Sequence, residues 1–191
     1  MKTKKYLERL LKSEAVLNGN VAQFAYRKVD FDIDEAVRFA ETTALNVLVK
    51  LSKLAKIFQK YYEQASETGL IHLFRHFRRS KARLFWKRFG EEVEKIRTRK
   101  LLEAFVNGGK HVRRNNLEIN EFAAREYYLS LTNEKKVILL SNISQKADNS
   151  FELLRENINR TDLSPAEIKN YRASALFWSE VWEFLSKIKA A

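Results

Sequence analysis

The 191-residue sequence contains no cysteine, one proline and five glycines. Without cysteine there is no disulfide framework, no thiolate zinc site, no iron–sulfur cluster and no cysteine nucleophile. Long hydrophobic runs are missing as well, since no stretch reaches the ~18 apolar residues that a membrane-spanning helix needs. Met1 to Leu10 carry charge through the region where a signal peptide needs an unbroken apolar segment. A soluble, cytoplasmic chain without membrane contact is therefore expected. Acids are in short supply, with 24 Asp plus Glu against 36 Lys plus Arg, a formal net charge of +12. That surplus speaks of acidic partners rather than of fold.

The hydrophobic content of 45% is enough to bury a core, and its period is helical. No segment alternates with period two, so an all-α bundle is expected. The seam Ile33, Val37, Ala40, Ala44, Val47, Leu51, Leu54, Phe58, Tyr61 steps by four and three, which predicts one long helix over about 33–64. A second seam, Ile168, Tyr171, Ala175, Trp178, Trp182, Leu185, Ile188, predicts another over 165–188. Its start is marked by Ser164-Pro165-Ala166-Glu167, a capping box with proline at the first helical position. Shorter helices are expected at about 4–17, 21–29, 70–89, 91–106, 119–131, 133–147 and 150–159. Gly19, Gly69, Gly90, Gly108 and Gly109 fall where the periodicity breaks, as helix C-caps do. Residues 1–191 read as a single domain with one candidate subdomain boundary at 107–116.

Charge is concentrated. Between Ile71 and Arg114 there are 14 basic residues against Glu91, Glu92, Glu94 and Glu103, a net of +10. Arg75, Arg79, Arg83 and Lys87 recur every four residues and form one line along a helix. Arg78, Lys81 and Arg88 widen it, and Leu70, Phe74, Phe77, Leu84 and Phe85 take much of the opposite side. Guanidinium groups at one-turn spacing suit a phosphodiester backbone. The expected nucleic-acid contacts are Arg75, Arg78, Arg79, Arg83, Lys87, Arg97, Lys110, Arg113 and Arg114, with Trp86 as a platform for base stacking. Most of the other aromatics read as core.

Chemistry is not legible. There is no Walker loop, no Gly-x-Gly-x-x-Gly after a strand, no Gly-x-Ser-x-Gly elbow and no His-x-Glu with paired cysteines. His72 and His76 share the spacing of a metalloprotease pair but enclose no Glu. Asp30, Asp32, Asp34 and Glu35 lack the glycine and closing Glu of a calcium loop and read as a capped helix start. No enzyme, cofactor or metal is expected.

Lys95-Ile96-Arg97-Thr98-Arg99 followed by Phe105, then Glu121-Phe122 through Leu131, then Lys135-Lys136-Val137-Ile138-Leu139-Leu140 resembles the helical C-terminal region of some type I CRISPR large subunits. The basic helical composition is similar to that of the small subunit of such a Cascade complex. The resemblance covers about residues 85–145, with Thr98 where the family's stretch has Ser. It implies a non-catalytic subunit, in more than one copy per complex. That subunit would contact other subunits and hold the crRNA–target duplex and the displaced single-stranded DNA through sequence-independent backbone contacts. Two alternatives stand beside it: a helical protein-interaction scaffold docking an acidic partner, and a helical DNA-binding regulator.

Overall fold

The computed structural model describes residues 2–21, 24, 29–67, 73–108 and 118–188, with side chains described except at 65–67 and 73–79. Eight helices lie among these residues: α1 (Thr3–Leu11), α2 (Glu14–Leu17), α3 (Ile33–Thr42), α4 (Leu45–Glu67), α5 (Leu73–Val106), α6 (Glu121–Ser130), α7 (Asn133–Asn157) and α8 (Pro165–Ser186). One isolated bridge joins Lys2 to Asp30, so the fold is the all-α bundle that the periodicity indicates. No helix among the described residues is long and apolar enough to cross a membrane. The chain divides into two compact units, Met1–Arg97 and Thr98–Ala191, inside α5 rather than at 107–116. Of that segment, 109–116 lie outside the described residues, as does nearly all of the helix expected over 21–29.

In the first unit, Tyr6, Leu7 and Leu10 of α1 are fully buried, and α1 packs against α3 and α4. Thr3 ties the starts of α1 and α3 together. Its hydroxyl donates to the Asp30 carbonyl at 2.7 Å and accepts from the Asp32 amide at 2.9 Å, while its own amide donates to Glu35 Oε2 at 3.0 Å. Asp32 caps α3 by accepting from the Glu35 amide. The Asp32 and Glu35 carboxylates therefore serve helix starts.

The expected long helix over 33–64 is interrupted. Thr43 is extended (φ −89°, ψ 156°), and the Thr42 and Thr43 hydroxyls donate back to the Phe39 and Ala40 carbonyls. Such local bonds compete with helix propagation. The heptad seam spans two helices whose apolar phases happen to continue one another. The 4–17 helix is likewise split into α1 and α2.

At Gly90 the expectation fails in the opposite sense. α5 runs unbroken from Leu73 to Val106, replacing two helices with one. Gly19 (φ +96°) and Gly108 (φ +78°) adopt the left-handed conformation expected of caps. Gly90 instead lets α4 approach, because a Cβ built there would lie 3.2 Å from the Ala55 Cβ. Gly90→Val is expected to lower stability by about 2–3 kcal/mol through overpacking. Gly90→Ala should stay near neutral, the tight contact being offset by a helix-propensity gain of about 1 kcal/mol. Urea unfolding of both variants checks this, and a Val variant as stable as wild type would refute the close α4–α5 approach.

In the second unit α7 packs along α8, the short connection 158–164 making them a helical hairpin. α7 is one helix where two were expected. Ser164 forms the predicted capping box: its hydroxyl accepts from the Glu167 amide at 3.3 Å and its amide donates to Glu167 Oε2 at 2.8 Å. The Ser164 hydroxyl and amide hold the Glu167 carboxyl below the usual carboxylate range. Buried Ala175, Trp178, Val181 and Leu185 form the inner stripe of α8, so the seam passes through Val181 and leaves Trp182 40% exposed. Phe105 meets Trp178 edge-on at 5.0 Å, and Asn142 Nδ2 donates to the Phe105 carbonyl at 2.7 Å.

Candidate interaction surface

The apolar ridge of α5 in the first unit is Ala82, Phe85, Trp86, Phe89, Val93 and Ile96, all buried at the three- and four-residue spacing of one helix face. The opposite face exposes Ser80, Lys81, Arg83, Leu84, Lys87, Arg88 and Glu91. Of the four-residue line read from the sequence, Arg83 and Lys87 are exposed. Arg75, with Arg78 and Arg79, belongs to α5 but its side chain lies outside the described residues, and Lys110, Arg113 and Arg114 lie outside them altogether. The line ends one turn after Lys87 in an acid, Glu91. Leu84 is not on the buried side, being 50% exposed.

Two of the ten expected contacts are corrected. Trp86 is fully buried, its ring stacked on Phe58 at 4.4 Å and 7° and edged by Phe85 and Phe89. No face of it is open to a base. Its indole N–H has no hydrogen-bond partner among the described residues. Arg97 is only 2% exposed. Its Nη2 lies 2.5 Å from Glu94 Oε2, and the other Glu94 oxygen accepts from the Ser52 hydroxyl on α4. The guanidinium is neutralised inside the unit and cannot meet phosphate. Next to it, Thr98 of the second unit accepts the Asn120 amide at 3.0 Å, so the Ile-Arg-Thr-Arg stretch is occupied with packing and capping.

Sequence reading missed a second basic face. On α4, Lys50, Lys53, Lys56 and Lys60 are all exposed and stay on one side of the helix through steps of three, three and four. The signal was present, because these positions are the complement of the Leu51, Leu54, Phe58 ridge. The charge centre moves with it: residues 1–97 hold 21 Lys plus Arg against 12 Asp plus Glu, a net of +9, and residues 98–191 hold 15 against 12, a net of +3. Among the described residues no group of three or more His, Cys, Asp or Glu could hold a metal ion. His72 and the His76 side chain lie outside them.

With Trp86 and Arg97 in the core, the expected sequence-independent nucleic-acid surface loses its stacking platform and one cation; Arg83 and Lys87 are exposed and the other six side chains lie outside the described residues. No family model, curated protein or solved structure matches the chain, so the CRISPR small-subunit assignment has no support and is corrected to an all-helical protein with basic faces on its first unit.

Proposed function

We propose that the chain is a non-catalytic helical scaffold that docks an acidic protein partner on the basic surface of its first unit, acting in the cytoplasm. The observation that carries the reading is the outer face of α4, where Lys50, Lys53, Lys56 and Lys60 are exposed and no acid occurs between Leu45 and Tyr62. A helix face needed only for solubility interleaves both signs. Like charges one turn apart, as at Lys50 and Lys53, instead cost about 0.2–0.5 kcal/mol per pair, a cost that a complementary surface removes. Lysine is a point charge without the planar fork of arginine, so this face makes no bidentate contact with carboxylate or phosphate, and the test sets the two anions against each other.

The test uses full-length protein and labelled poly-L-glutamate, with single-stranded DNA as the competing polyanion, read by fluorescence anisotropy at low and moderate salt. Poly-glutamate is expected to bind and to weaken with salt, and a Lys50→Glu, Lys53→Glu, Lys60→Glu variant to lose about tenfold or more in affinity. Unchanged affinity in the triple variant, or binding of DNA but not of poly-glutamate, would overturn the reading.

A further inference from the structure

The geometry points to a docking position on α5 for a short acidic amphipathic helix of a partner protein, with its apolar anchor on Leu84. The inference rests on the acidic-partner reading and gives that partner a shape. Leu84 is half exposed and stands three residues after Lys81, one after Arg83, three before Lys87 and four before Arg88, all of them exposed. On a helix these offsets place the cations in two rows with the leucine between them. Lys81 and Arg88, seven apart, share one edge, and Arg83 and Lys87, four apart, share the other.

An apolar centre within a charged rim is the anatomy of a protein-docking patch. A partner helix laid along this face would set one large apolar residue on Leu84 and carboxylates on both flanks. Glu91, exposed and seven residues after Leu84, continues the line of the leucine itself. The patch therefore ends in an acid two turns along, and a partner helix that slides its carboxylates past the leucine meets like charge there. One leucine is too little apolar surface to hold an anionic membrane, and a nucleic-acid backbone would be indifferent to it. The chemistry that uses both the leucine and its rim is an acidic protein helix.

The experiment compares wild type with Leu84→Ser as full-length proteins, first checked for equal thermal unfolding since position 84 is exposed. The probes are a Glu-rich helical peptide with one central Leu, the same peptide with Ser in its place, and poly-L-glutamate. Wild type is expected to bind the Leu peptide about tenfold more tightly than the Ser peptide. Leu84→Ser should erase that preference while leaving poly-glutamate binding unchanged. A preference that survives Leu84→Ser, or its absence in wild type that binds poly-glutamate, overturns the docking position and leaves the acidic-partner reading standing. Failure of wild type to bind poly-glutamate at all overturns both.

Discussion

Replacing Trp86 by alanine is expected to destabilise the protein by about 3–5 kcal/mol, the usual cost of truncating a fully buried large aromatic. The ring is enclosed on several sides: stacked on Phe58, edge-on to Phe89 at 5.9 Å and to Phe31 at 6.5 Å. Removing it takes one member from every one of these pairs and leaves a cavity that neighbouring helices can only partly fill. Against a total stability of about 5–15 kcal/mol for a folded domain, that loss brings the fold close to its unfolding threshold. Trp86→Phe should behave very differently. It retains an aromatic face for Phe58 and removes an indole N–H that has no acceptor among the described residues, and an unpaired buried donor costs about 1–3 kcal/mol. The cavity term and the relieved desolvation therefore oppose each other, and the expected net loss is under about 2 kcal/mol. Urea denaturation followed by far-UV circular dichroism measures both. An alanine variant as stable as wild type would mean that the ring is not core, and would return Trp86 to the surface as a stacking platform.

The burial of Trp86 was in the sequence, though not where local composition pointed. Its immediate neighbours Lys87 and Arg88 make the segment look basic, but phase decides: Ala82, Phe85, Trp86, Phe89, Val93 and Ile96 hold one helix face. Some signals that act within a few residues were legible, the helix caps above all. Ser164, Pro165 and Glu167 start α8 where they should, and Asp32 caps α3. Signals that depend on what lies across the bundle were not. Gly90 looks like punctuation because helix interiors rarely keep a glycine, and only the proximity of Ala55 explains why this one does. The seam from Ile33 to Tyr61 hid the break at Thr43, since hydrophobic period reports the inward face of the chain and not the continuity of its backbone. The lysine face of α4 was legible as the remainder of that same seam. It was missed because its four cations are diluted by apolar neighbours in any running count of charge, whereas those of α5 are not.

Arg97 gives the second large effect, and one that separates structural from binding roles. Its guanidinium, 2% exposed, is held by Glu94, whose carboxylate also accepts from Ser52. Arg97→Ala leaves that carboxylate with the hydroxyl alone, in a site where the Glu94 side chain is only 19% exposed. Breaking a buried pair in this way costs about 3–5 kcal/mol, most of it the penalty of a stranded charge rather than the worth of the bond. A double variant, Glu94→Gln with Arg97→Met, removes both charges at similar volume and is expected to lose far less than the sum of its single changes. The mutant cycle should thus show a coupling of about 2 kcal/mol or more. Binding gives the opposite result. The folded double variant should hold poly-glutamate as wild type does, because neither group lies on the surface, while the Lys50, Lys53 and Lys60 reversals weaken binding and leave stability nearly unchanged. If Arg97→Ala instead spares stability and weakens anion binding, the guanidinium faces solvent and belongs to the interface after all.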